Sequence, residues 1–119
     1  MPHRFPFLLI DRITEVIPGV SACAIKQVSN AVEAFPQIML IECIAQLAGI
    51  AANHEQGEGG FLATIDNAVF DGQILPGDSL EIRTEVIKSF GRLCLIKGEV
   101  RCNSIKLVDA TMTLGIGTI

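Results

Sequence analysis

The sequence predicts an α+β fold: one long apolar helix against an antiparallel sheet of about five strands. Three observations predict it. Residues 38–53 form an almost wholly apolar run of good helix formers with no proline. Much of the remainder is β-branched or alternates polar with apolar, and is cut by short turns rich in Gly, Pro and Asn. The chain has 119 residues, half of them hydrophobic, which suits a single domain over residues 1–119.

Residues 5–12 are a short apolar opening, read as one helical turn, and Pro18-Gly19 is a turn signal. Residues 20–28, small and β-branched, read as a strand, and 29–36 as irregular chain. The helix over 38–53 is apolar almost all round, so it is expected to be buried on most sides. It ends at polar residues 54–56 and then Gly57, Gly59 and Gly60. A strand over 61–70 precedes Asp71-Gly72, and Pro76-Gly77-Asp78 is a second turn. Residues 79–89 alternate, with Leu80, Ile82, Thr84 and Val86 on one face and Glu81, Arg83 and Glu85 on the other. Gly91 breaks that strand. Another strand over 92–102 turns at Asn103-Ser104 into a last one over 105–116. Consecutive strands with short turns imply an antiparallel meander, curled around the helix as the layer solution for one helix and one sheet.

The net charge is −4, no Lys/Arg-rich run occurs, and Tyr and Trp are absent, which excludes nucleic acid as the expected partner. Cys23, Cys43, Cys94 and Cys102 form no C-x-x-C pair, and Cys23 and Cys94 sit between apolar neighbours. They read as buried free thiols of a reducing compartment. Two histidines without paired spacing predict no metal site. The apolar stretch 5–10 is too short for a secretory signal and is interrupted by Pro6. The longest apolar run contains Glu42 and falls short of a membrane span. A cytoplasmic protein is expected, and the apolar surplus predicts a homo-oligomer.

Glu42 and Gln46, four apart, share one helix face, and Gly49 and Asn53 extend that stripe. A carboxylate on so apolar a helix is costly unless paired, hydrogen-bonded or neutral. Burial disfavours its charged form, which suits a general acid or base, and Gln46 is placed to orient it. A structural ion pair with Arg4 or Arg12 is the competing reading. Asp66 reads as a turn or interface acid. Arg92, Lys97 and Arg101 share one predicted strand and read as a solvated face, with contact to an acidic carrier as the alternative.

Three stretches resemble the 3-hydroxyacyl-(acyl carrier protein) dehydratases of the FabZ/FabA type. The opening Pro2-His3-Arg4-Phe5-Pro6-Phe7-Leu8-Leu9-Ile10-Asp11-Arg12 is similar to that family's first signature. Ile41-Glu42-x-x-Ala45-Gln46 is similar to its helix motif. Phe61-Leu62-Ala63-x-Ile65-Asp66-x-Ala68-x-Phe70, followed by Pro76-Gly77-Asp78, resembles its strand and turn after the helix. The resemblance implies a hot-dog fold, a central helix wrapped by a curved antiparallel sheet of about five to six strands. It implies homodimers, often trimers of dimers, that dehydrate acyl carrier protein-linked 3-hydroxyacyl thioesters to trans-2-enoyl thioesters, with no cofactor. Glu42 takes the place of the family's helix acid. Backbone N–H groups at the helix start, around Gln37 and Ile38, would polarise the thioester carbonyl, and Phe61 would line the acyl tunnel with Gln46 beside the acid.

The family's partner to that acid is a histidine in a loop before the helix, and the sequence shows no such loop: either it is deleted from the protein, or it belongs to the protein without standing in this sequence, which the clean flanking motifs favour. The lead-in ends at Ala34-Phe35 and the lead-out begins at Pro36, with about ten residues missing between them, an ordinary loop length. His3 belongs to the opening signature. His54 lies about three turns beyond Glu42, roughly 18 Å along a helix. A hot-dog subunit without catalysis, binding acyl chains or completing a heterodimer, is therefore an alternative, and a hot-dog thioesterase is another.

Overall fold

The computed structural model describes residues 10–28, 38–52, 58–72 and 74–118, with backbone only for 58–63 and 117–118. Six strands and one helix follow in the order β1 (Arg12–Ile17), β2 (Ser21–Gln27), α1 (Ile38–Ala51), β3 (Glu58–Phe70), β4 (Ser79–Phe90), β5 (Leu93–Cys102) and β6 (Ile105–Thr118). The helix and the four strands β2, β4, β5 and β6 lie close to their predicted bounds. β1 was not predicted: Arg12 opens a strand, Ile10 and Asp11 before it are not helical, and residues 5–9 of the proposed opening turn lie outside the described residues.

All pairings are antiparallel, and the sheet order is β1-β2-β4-β5-β6-β3. This corrects the meander. Only β4, β5 and β6 follow one another across the sheet; β3 is carried to the far edge, beside β6. The short hairpin at Asn103 (φ 52°) and Ser104 (φ 70°) has both central residues left-handed. That backbone matches the twist of the flanking strands.

The alternation in β4 is realised as predicted. Leu80, Ile82 and Thr84 face inward and are buried, as are Cys94, Ile96 and Val100 of β5 and Val108, Ala110, Met112 and Leu114 of β6. Together they cover α1, whose Leu40, Ile41, Cys43, Ile44, Leu47 and Ala48 are closed from solvent. Gly98 sets the depth of that contact. A Cβ there would run into the Ile44 Cγ2 methyl, with the Ile44 Cβ only 3.2 Å away. Glycine lets the helix lie directly on β5.

Candidate active site

The sheet leaves part of the helix less covered. Ile38, Glu42, Gln46 and Ile50, one turn apart, are not buried, while the residues between them mostly are. Glu42 is half-buried rather than enclosed, a correction to the expectation of a fully desolvated acid. Of the two arginines named for a competing ion pair, Arg12 does not pair with Glu42, and Arg4 lies outside the described residues. No described residue pairs with Glu42, and Arg12 is exposed on β1. Gln46 is half-buried one turn further on, and Ile38 opens the helix at 56% exposure. Phe61 takes the β3 register position opposite Gly115. Gln37, Arg4, His3, His54 and the Phe35-Pro36 junction lie outside the described residues.

Backbone hydrogen bonds fix which end of the fold holds the acid. The Gly19 N–H donates to the Ala51 carbonyl, so the C-terminal end of α1 meets the β1–β2 turn. The opposite end gathers segments distant in sequence. The Asp11 N–H donates to Ile25 O, and the Asp11 carboxylate accepts from the Gln27 N–H at 2.6 Å and lies 3.9 Å from Lys26 Nζ. Val28 donates to Asp78 O and accepts from the Gly77 N–H, tying the Pro76-Gly77-Asp78 turn to the end of β2. Gly77 holds φ 89°, a left-handed backbone that favours glycine.

Cys43, beside Glu42, reports the electrostatics there. Burial pushes its thiol up to about 12; nearby Lys26 opposes this, and the Asp11 and Glu42 carboxylates reinforce it. Cys43 is thus an inert core thiol, as predicted. Lys26 and Asp11 were not singled out as site neighbours from the sequence. Their signal was a lone charge in a strand of small residues and the acid of the opening signature.

The other predicted candidates fall elsewhere. Asp66 is not in a turn but at a bulge in β3, accepting hydrogen bonds from Thr64 and Thr113 at 2.9 Å each. Cys23 and Cys102 are half-buried, not buried, and all four thiols are free. Arg92 leaves the predicted strand for the preceding turn, where its Nε donates to Ile116 O. Lys97 and Arg101 stay on β5 but face acids across the register, Glu85 and Glu81. Arg101 Nε donates to Glu99 at 2.8 Å and Lys106 lies 3.4 Å from the same carboxylate. The Arg101 hydrogen bond, foremost, holds the Glu99 carboxyl below its usual value. This outer face, with a concavity of about 180 Å³ beside Cys23 and Arg83, sets acids beside its bases.

Comparison with known proteins places the chain. The FabA-like domain family matches residues 1–111. The 3-hydroxyacyl-(acyl-carrier-protein) dehydratase FabZ of Bacillus subtilis is 33% identical over 130 aligned positions, covering 98% of this chain and 92% of the relative. The FabZ of Campylobacter hominis is 39% identical over 115 positions, covering 83% and 79%. Among solved structures, the dehydratase heterocomplex ApeI:P from Xenorhabdus doucetiae superposes with a TM-score of 0.80 at 17% identity, covering 99% of this chain and 88% of that one. The hot-dog-like protein from Thermanaerovibrio acidaminovorans superposes with a TM-score of 0.71 at 13% identity, covering 85% of this chain and 83% of that one, and shows the hot-dog fold, in which one helix is wrapped by the six-stranded sheet. The 130 aligned positions of the Bacillus relative exceed the 119 residues here, so at least 11 of them face no residue of this chain. Matched over most of its length by the family profile and at more than 30% identity by its relatives, the chain belongs to the FabA-like family.

Proposed function

We propose that this chain takes part in the dehydration of 3-hydroxyacyl thioesters, carried on acyl carrier protein, to trans-2-enoyl thioesters in fatty-acid-type biosynthesis. It would act as a cytoplasmic single domain of 1–119. The carrying observation is Glu42: a half-buried carboxyl on the open stripe of the central helix, with no described cation to occupy it. An acid so placed can give a proton to the departing 3-hydroxyl. Gln46 is one turn away on the same stripe and would orient the acyl chain or the carboxyl group. The first N–H groups of α1, from Ile38 on, have no partner within the helix and, with Gln37 before them, would polarise the thioester carbonyl. Phe61 would line the acyl tunnel. Among the described residues no helix is long and apolar enough to cross a membrane.

The reaction is tested on the protein isolated natively from its own cells, with whatever it assembles with. It is given 3-hydroxybutyryl-acyl carrier protein while enoyl product and free thiol are both followed. Enoyl formation that falls by about 10²–10⁴ in Glu42→Gln is expected, the range for a positioned acid. Free thiol instead identifies a thioesterase. Neither product, with acyl binding, favours a non-catalytic subunit, the reading supported by the missing loop. By the resemblance the assembly would be a homodimer or a trimer of dimers. Such a homodimer would carry two copies of Glu42 and no loop histidine.

A further inference from the structure

We infer that Lys26 is a positioning residue of the Glu42 site. Held on the helix-facing side of the sheet by Asp11, its ammonium is a fixed positive charge that sets the pH above which Glu42 no longer carries a proton to give. The consequence for rate rests on the dehydratase reading above; the electrostatic consequence does not.

The first observation is where Lys26 stands. Ala22 and Ala24 of β2 are buried against the helix, and Lys26 continues that face, opposite the fully buried Leu80 of β4. Its side chain is 17% exposed. The charged residues of β4 and β5 occupy the alternate positions and point to the outer face, where Lys106 and Asp109 of β6 join Glu99. Among the described residues of these four strands, Lys26 is thus the one Lys, Arg, Asp or Glu on the inner face. A charge so placed is costly unless it is paired.

The second observation is what holds it. The Asp11 carboxylate accepts the Gln27 N–H at 2.6 Å, and the same oxygen lies 3.9 Å from Lys26 Nζ. Backbone pins the carboxylate, and the carboxylate pins the ammonium. The third is what it faces. Lys26, Asp11 and Glu42 all act on the Cys43 thiol, so the three charges share one neighbourhood in the first turns of α1. Lys26 acts there more strongly than Asp11, so the pair turns its positive end to the helix. The other described titratable groups around the helix are the Cys94 and Cys102 thiols of β5, and Asp78, which acts on Cys102. The described side chains of β1, β3, β4 and β6 turn no titratable group inward.

A nearby cation favours a carboxylate over its acid. Glu42 must hold its proton to pass it to the departing hydroxyl, so Lys26 lowers the pH at which that capacity is lost. The narrower range is offset by strength, because a stronger acid protonates the leaving oxygen more readily.

The test is an NMR titration of protein labelled with carbon-13 at the glutamate carboxyl groups, the Glu42 signal being assigned from Glu42→Gln. A unit charge acting across roughly 8–10 Å near a protein surface moves a titration by about half a pH unit to one unit. Lys26→Met, of similar length, is expected to raise the Glu42 midpoint by that much, Asp11→Asn to lower it, and Lys26→Arg to leave it in place. The high-pH limb of kcat/KM for 3-hydroxybutyryl-acyl carrier protein should move in the same directions. A merely structural Lys26 would instead lower the rate at every pH and leave the limb where it is. A Glu42 midpoint that does not rise in Lys26→Met overturns the inference. Should that variant fail to fold by circular dichroism, a midpoint that does not fall in Asp11→Asn overturns it. Midpoints that move as expected in a protein that makes no enoyl product keep the electrostatics and overturn the dehydratase reading.

Discussion

Single side chains carry costs that the fold tolerates. Thr84 is 1% exposed, and its hydroxyl has no hydrogen-bond partner among the described residues. A buried hydroxyl without a partner costs about 1–3 kcal/mol. Thr84→Val keeps the shape and removes the orphan, so it is expected to stabilise by about 1 kcal/mol. A rise in the urea midpoint with an unchanged slope would show it. Glu42 is the reverse case. It is exposed enough to be solvated, and its substitution by Gln should leave the urea midpoint within about 0.5 kcal/mol of the parent while activity falls. The sequence identified Glu42 because one acid stood in an apolar helix. It did not show that the sheet leaves the 38-42-46-50 stripe less covered, because one helix alone does not say which of its faces a sheet will take.

Pairs of residues that meet across elements were the least legible. The contact between Gly98 and Ile44 joins β5 to α1, and nothing in either segment announces it. Gly98→Ala should destabilise by roughly 1–3 kcal/mol through overpacking. The double variant with Ile44→Ala should lose less than the sum of the two single losses, as expected when the second change removes the methyl that clashes. Chemical denaturation of the four proteins completes the cycle. Likewise Lys97 and Arg101 looked like a basic strip along one strand, and only the register reveals Glu85, Glu81 and Glu99 opposite or beside them. Glu99 carries a pH prediction. Its carboxyl lies below the usual 4.5 when folded, so its ion-pair network stabilises above that value and the benefit fades as pH falls through the lowered one. The gap in stability between the parent and Glu99→Gln should be widest near pH 7 and shrink below pH 4.5. β1 escaped the sequence reading because Arg12–Ile17 is exposed throughout and its Ile13, Val16 and Ile17 do not alternate.

At the scale of the whole molecule, the fold class and the helix-in-sheet arrangement were legible because periodicity encodes them. Strand order was not, since β3 has the same apolar character whether it neighbours β2 or β6. One helix serves all six strands, so no part of the sheet keeps its inner face without α1. Calorimetry and circular dichroism should therefore report one coincident melting transition, with calorimetric and van't Hoff enthalpies equal; two separated transitions would divide the chain.

The far-edge position of β3 also orders events at the ribosome. β3 is held by β6, and the pairing of Glu58 with Thr118 closes a loop of roughly 60 residues. Residues 58–70 therefore emerge well before the strand that will receive them, soon after the apolar helix α1. Until β6 is made, that nascent segment has an unmatched backbone and a helix without its cover. Such a species is what holdase chaperones bind, and the yield of this protein should be set by how fast its last strand follows its third.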